Sequence, residues 1–459
     1  MARDLSGPAG ARNVEATPRA ELRRTVWALA WPVIVTLFSE AAVGLFDMLM
    51  VGRLGADAVA GVGVGAQILG AVGVVTTAIG TGTVALVARH VGAREPAAAQ
   101  RVLGQSVLLA ATAGAATVLP VIVWTPALVR LFGVTPAVVD LGVAFTRLVM
   151  LSIPGGAVLF VVGAALRAAG DTRTPLAIGL VVNVVNVIAN WALIFGHLGF
   201  PALGVRGSAL ASTTAFTLGA AIGLALVGGG YLRLRLERRD LRLHRATIGR
   251  LARIGAPAGL EQLAMQIGFL VYLVFASAYG TAAVAAYFIG VRILALSFLP
   301  GIGFSIAAAA LVGQNLGAGD PARAKEAAWA ATRMCLVLMS GAGLVLFVFA
   351  TAIARVFVDD PLVIEDTRWF IYMLGACQPL MAVDYALGGA LRGAGDTRYP
   401  LATLFAGLYG FRLAFAWVVT HALHLSTPWL WAVLIGDYAV RAGLKVWRMG
   451  GEAWQRIRV

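Results

Sequence analysis

Five carboxylates stand inside long apolar runs of this 459-residue chain: Glu40, Asp47, Glu261, Asp384 and Asp437. An ionised carboxylate at the centre of a bilayer costs about 2.5–3.5 kcal/mol even on the lenient insertion scale, so each needs a reason to be there. Two kinds of chemistry supply one: exchange of charge for a proton or bound cation, or pairing with a cation on a neighbouring helix. Glu40 and Asp47 are seven apart and share one helix face, as Asn183, Asn186 and Asn190 do on another run. Counted inward from the polar ends of their runs, Asp47 and Asn190 both lie about 10 Å deep, and Glu40 and Asn183 about 20 Å. This matching predicts a polar pocket between the two helices; the alternative is asparagines that only bond helix to helix. Glu261 and Asp384 each stand eight residues from an arginine (Arg253 and Arg392), at a common depth of about 12 Å from the opposite surface, and are expected as a second pair. Asp437, four residues before Arg441 and a candidate to reach Arg412, is expected in a structural ion pair. Arg147 and Arg292 are intramembrane cations with no assigned partner, and candidates to neutralise one of these acids.

The elements that must position these groups are membrane helices. The chain is 60% hydrophobic and 13% charged, against about half and a quarter for a soluble domain. A helix needs about 20 apolar residues to span a bilayer, and twelve such runs occur, near 25–52, 58–88, 102–125, 137–165, 174–197, 203–229, 250–279, 282–312, 330–354, 366–390, 399–420 and 427–447. The charge of +14 is almost all arginine, with lysine only at Lys325 and Lys445. Placing the N-terminus in the cytoplasm puts 28 of the 36 basic residues inside, five outside and three within spans. That asymmetry is the positive-inside signal and orients both termini to the cytoplasm. Residues 1–24 read as a polar tail rather than a signal peptide, because the apolar run that follows is too long and lacks a cleavage pattern. Cys335 and Cys377 fall in apolar runs and offer no disulfide or metal spacing.

The chain repeats itself. Gly163–Leu176 and Gly388–Leu401 match at eleven of fourteen positions at an offset of 225 residues. The same offset pairs Pro32 with Pro257, Gly92 with Gly317, and Pro154 with Pro379. It covers six spans, an even number, so two lobes (25–229 and 250–448) are expected to be related by a pseudo-twofold axis along the membrane normal. The basic stretch 230–249 reads as a cytoplasmic linker and 449–459 as a second tail. Within the repeated motif, Gly170 and Gly395 suit a left-handed cap. Asp171 and Asp396 can supply capping oxygens, and Pro175 and Pro400 suit the first turn of the next helix. Asp47 maps onto Tyr272 in the repeat and Asp384 onto Leu159, so the acids lie where the symmetry fails.

The sequence resembles the multidrug and toxic compound extrusion (MATE) transporters. The segments that carry the resemblance are Trp31-Pro32, Phe46-Asp47 through Val51-Gly52-Arg53-Leu54-Gly55, both Leu-Arg-x-Ala-Gly-Asp-Thr-Arg runs, Leu311–Gly317, and Gln378-Pro379. The resemblance implies an all-α, twelve-helix, two-lobe monomer in the cell's inner membrane. It also implies export of cationic amphipathic compounds in exchange for inward H⁺ or Na⁺, with no cofactor, no metal and no nucleic-acid partner. Asp47 matches the acid that the family uses for cation coupling, and Asn186 and Asn190 match polar positions near it. In some relatives Asp stands where Asn190 does. Acids on the seventh and tenth helices of Na⁺-coupled members correspond to Glu261 and Asp384, which here sit about one turn nearer the cytoplasm. No lysine is followed by Ser or Thr, which excludes a Walker A loop. No His-Glu-x-x-His or Gly-x-Ser-x-Gly occurs, which argues against a membrane enzyme. A flippase of lipid-linked or natural-product substrates is the nearer rival.

Overall fold

A computed structural model of the chain describes residues 19–230 and 234–457. Long helices, twelve by our numbering, run back and forth as α1 (Arg19–Gly52), α2 (Ala56–Gly92), α3 (Pro96–Arg130), α4 (Pro136–Met150 and Ile153–Ala168), α5 (Arg173–Phe195) and α6 (Val205–Gly228), then α7 (Arg245–Ser277), α8 (Thr281–Gly317), α9 (Pro321–Val348), α10 (Pro361–Gly393), α11 (Arg398–Ala422) and α12 (Thr427–Gly450). Among the described residues, ten are long and apolar enough to cross a membrane, eleven when the two bent parts of α4 count as one span. The remaining helix, α12, has the length but carries Asp437, Arg441 and Lys445. The protein is therefore an all-α, multi-span membrane protein of two lobes. α1 already begins at Arg19, and residues 1–18 of the expected tail lie outside the described residues. The stretch between the lobes includes a short 3-10 turn, Arg238–Leu241. It is clamped to α3 by Gln105, whose amide donates to the Asp240 and Arg242 carbonyls at 2.7 and 2.8 Å and accepts from the His244 N–H at 2.8 Å.

Of the proline pairs in the repeat, one keeps its place in both lobes and another does not. Pro32 and Pro257 lie inside α1 and α7. Pro154 restarts α4 after a 50° bend, whereas Pro379 sits within an unbroken α10. The repeated motif folds as a helix stop and restart: Gly170 and Gly395 have φ of 90° and 88°, a region that suits glycine because it has no Cβ. Asp171 caps α5 by accepting from the Thr174 N–H at 3.0 Å and its hydroxyl at 2.6 Å. Asp396 instead binds Arg448 at 2.9 Å, because α12 brings a cation there that the N-terminal lobe lacks.

Each lobe also lends a helix end to the other. Val26 and Leu29, in the first turns of α1, are buried in the core of the C-terminal lobe. Their repeat mates Leu251 and Ile254, in the first turns of α7, are buried in the core of the N-terminal lobe. This reciprocal burial removes apolar side chains of both lobes from solvent at one end of the molecule, the arginine-rich end.

Candidate functional site

α1 and α5 run parallel and in fixed register. Thr172 donates to the Ala28 carbonyl, Asn183 to the Ser39 hydroxyl and Asn190 to the Asp47 carboxylate, at separations of 144, 144 and 143 residues. The Asn190 amide donates to Asp47 Oδ1 at 2.8 Å and to Asn186 Oδ1 at 3.0 Å. Turning the Asn186 amide lets it donate to both Asp47 oxygens, at 3.1 and 3.2 Å, while its oxygen accepts from Ser212 at 3.3 Å. Such a flip is a choice between orientations that the hydrogen-bond network decides. Asn186 and Asn190 are buried, and Asp47 is half-buried. Asn190 Oδ1 is buried without a donor among the described residues. The Asp47 carboxylate, the two amides and, through Asn186, the Ser212 hydroxyl thus form one connected polar cluster between α1, α5 and α6. Hard oxygens of this kind are ligands for a small hard cation, and an orphaned acceptor beside a carboxylate would equally receive the O–H of a protonated Asp47.

The expected partnership of Glu40 with Asn183 does not form. The α1 stripe that faces α5 is Thr36, Ser39 and Asp47, so Asn183 meets Ser39 at 2.8 Å. Glu40, one residue on and therefore about 100° around the helix, is exposed and lies within electrostatic reach of Arg167. Seven and eight residues both approximate two helical turns, and the packing of α1 against α5 selects the eight.

The acids of the second lobe are also distributed differently from the sequence expectation. Glu261 and Asp384 line one cavity but do not pair with each other. Arg392 donates to both Glu261 oxygens at 3.2 Å. Asp384, 1% exposed, is held by Arg441 at 2.7 Å and Lys445 at 2.5 Å. Asp437 forms the expected ion pair with Arg412, at 2.6 Å, with Arg441 within electrostatic reach. The physical reason for the hold on Asp384 is that α10 and α12 pack face to face, and the next turns of α12 offer two cations to one buried acid. Arg412 sits on a π-helical stretch of α11 (Phe405–Leu413), its guanidinium 5.6–5.7 Å from the rings of Phe269, Tyr272 and Tyr438. Arg147 donates to the Ile122 carbonyl at 3.3 Å and Arg292 is exposed, so neither neutralises an acid of these sites. Among the described residues, Asp47 alone of the five intramembrane acids has no cationic side chain beside it. Its repeat mate Tyr272 is buried and donates to the Leu430 carbonyl at 2.6 Å.

One arrangement was not foreseen. At the arginine-rich end, α2 and α8 cross so closely that a Cβ on Gly92 would meet the Gln314 backbone, and a Cβ on Gly317 the Arg89 backbone. Arg89 reaches across to the Ala394 carbonyl at 3.3 Å, and Gln314 to the Ala168 carbonyl at 2.7 Å. Arg89 and Gln314 are 225 residues apart, so they are repeat mates, and each latches onto the opposite lobe's copy of the repeated corner motif. Arg89 also donates to the Ile457 carbonyl at 3.1 Å. The pairing of Gly92 with Gly317 was the available sequence signal; it marked a symmetric contact without saying which surfaces met.

The MatE family model matches the chain twice, over residues 32–192 and 257–418, with starts separated by the repeat offset. A probable multidrug resistance protein NorM of Thermotoga maritima is 27% identical over 96% of this chain and 94% of its own. Multidrug resistance protein NorM of Burkholderia vietnamiensis is 28% identical over 92% of each. Among solved structures, a MOP superfamily transporter from Pyrococcus furiosus Vc1 (DSM3638) superposes with a TM-score of 0.88 at 20% identity, over 95% of this chain and 97% of that one. The Vibrio cholerae MATE transporter VcmN in its bent form gives 0.86 at 22%, over 94% and 97%. Two family matches, one per lobe, on a two-lobe bundle whose polar site is built into the membrane, place the chain in the MatE family of efflux transporters.

Proposed function

We propose that this protein is a secondary antiporter of the cell membrane, with both termini cytoplasmic, that exports cationic amphipathic compounds in exchange for inward H⁺ or Na⁺. The observation that carries the reading is Asp47: a half-buried carboxylate among Asn186, Asn190 and Ser212, with no cationic side chain beside it. A carboxylate already neutralised by arginine or lysine, as Glu261, Asp384 and Asp437 are, is poorly placed to gain and lose a cation. Asp47 is free to do so. With the arginine-rich end closed by α2 and α8, the state described here faces outward on this reading. Entry of the coupling ion at Asp47 then competes with bound cargo, and the loaded carrier reopens inward. Names of relatives such as NorM, multidrug resistance protein, support drugs and toxins as the cargo class.

The test is efflux of a fluorescent cation from vesicles, with the pH and sodium gradients imposed separately, in the wild type and Asp47→Asn. The reading expects one gradient to drive export and the variant to lose it. Undiminished gradient-driven export by Asp47→Asn would remove Asp47 from the mechanism.

A further inference from the structure

A cavity of about 330 Å³ lies between α2 and the C-terminal lobe, lined in part by Thr77, Gln262, Ser305 and the charged groups of Glu261, Asp384, Arg392, Arg441 and Lys445. A second space of about 110 Å³ adjoins it, sharing Thr77, Ser305 and Arg392 and adding Arg167. Together their walls hold four cations and two carboxylates. Both carboxylates are already engaged, Glu261 by Arg392 and Asp384 by Arg441 and Lys445. The walls therefore carry two positive charges beyond their own carboxylates, one of which, Arg167, lies within electrostatic reach of Glu40 on α1. Arg441 Nε and Arg167 Nε are buried donors without an acceptor among the described residues. Unpaired buried charge and orphaned charged donors are both costly, and both costs fall when an anion enters. Met265, Phe298, Ile302 and Ile306 line the same walls, and the volume is that of a small-molecule site.

We infer that this cavity receives an anionic group of the transported molecule, a carboxylate, phosphate or sulfonate, with Arg392 and Arg441 as its donors. The inference rests on the reading of this space as the cargo route and narrows the cargo. A compound that carries an acidic group as well as a cationic centre gains a charge-assisted contact in this cavity that a purely cationic compound lacks.

The experiment is equilibrium binding to the purified full chain in detergent, followed by fluorescence polarisation. Three dansyl-undecyl probes share one apolar body and end in trimethylammonium, in carboxylate, or in a betaine carrying both charges. One charge-assisted contact of ordinary strength predicts that the betaine binds roughly tenfold tighter than the trimethylammonium probe. Arg392→Gln should abolish that advantage. Glu261→Gln, which frees Arg392 for the ligand, should keep or enlarge it, and tests the same charge logic if Arg392→Gln fails to fold. A betaine no tighter than the ammonium probe overturns the inference. So does a preference unchanged in Arg392→Gln, or the absence of saturable binding by all three probes. Because the assay uses no gradient, loss of the Asp47 coupling mechanism and loss of this site are read independently.

Discussion

The closeness of the crossing between α2 and α8 sets the effect of widening it. In Gly92→Ala the new methyl would overlap the carbonyl oxygen, carbonyl carbon and Cα of Gln314; in Gly317→Ala it would overlap the Arg89 carbonyl and the Ala93 nitrogen at 3.0 Å. All of these are backbone atoms, so no rotamer change relieves the overlap and the helices must separate. Overpacking of this kind costs about 1–3 kcal/mol. Both substitutions act on one crossing and will not add fully. A shift of about 1–3 kcal/mol changes the ratio of closed to open forms roughly 5- to 150-fold. On the alternating-access reading proposed above, only the closed form is penalised, so the substitution should open the arginine-rich end rather than unfold the protein. Cys335 and Cys377 are buried, so background thiol reactivity is low. A cysteine introduced at Ala309, which lines the space behind the crossing and is 6% exposed, would report opening through its rate of maleimide labelling. The double glycine variant should label several-fold faster with an unchanged melting temperature. Unchanged labelling would refute the assignment of this crossing as the closure, and faster labelling with a large loss of melting temperature would show a structural role instead.

Other consequences can be measured alongside. Asp384→Asn strips Arg441 and Lys445 of their buried partner and should cost about 3–5 kcal/mol, read as a large drop in thermal stability in detergent, whereas Asp47→Asn, with no cation to orphan, should leave stability near the wild type. Asn190→Ala removes the 2.8 Å donor to Asp47, a bond to a charged group worth about 1.5–3 kcal/mol; it should shift the concentration of coupling ion at half-maximal export by tenfold or more while cargo binding persists. Trp454 is fully buried in the C-terminal core although it follows α12, so Trp454→Ala should cost about 3–5 kcal/mol, seen as lowered thermal stability and faster proteolysis of the C-terminal segment.

What was legible in the sequence was periodic or repeated. Apolar run length marked the spans because lipid imposes a minimum apolar length on every crossing helix, and the 225-residue register marked the lobes because it runs without gaps through both copies. Depth counting placed Asp47 beside Asn190 correctly, since parallel helices preserve depth. It failed at Glu40, where rotation about the helix axis decides the partner and depth says nothing. The pairing of Glu261 with Asp384 went astray for a related reason, whereas Asp437 did find Arg412. Distance along one helix favours Asp437 with Arg441, four residues apart, but the α10–α12 interface offers Asp384 to the same guanidinium at 2.7 Å. Which cation meets which acid across an interface is a property of crossing angles that no single run encodes.

The two latches at the closed end share a chemical detail with consequences for how such a protein can change over generations. Arg89 and Gln314 both donate to main-chain carbonyls, those of Ala394 and Ala168. Side-chain substitution at Ala168 or Ala394 cannot delete the acceptor, because every residue type carries the same carbonyl. Within these two latches, side-chain changes can therefore act only through the donors at 89 and 314 and the glycines beside them. The two donors have already diverged, one charged and one neutral, on an otherwise mirrored frame. Variants selected for altered transport speed should accumulate at these few positions, leaving the repeated corners unaltered as a fixed strike plate on which different bolts can be tried.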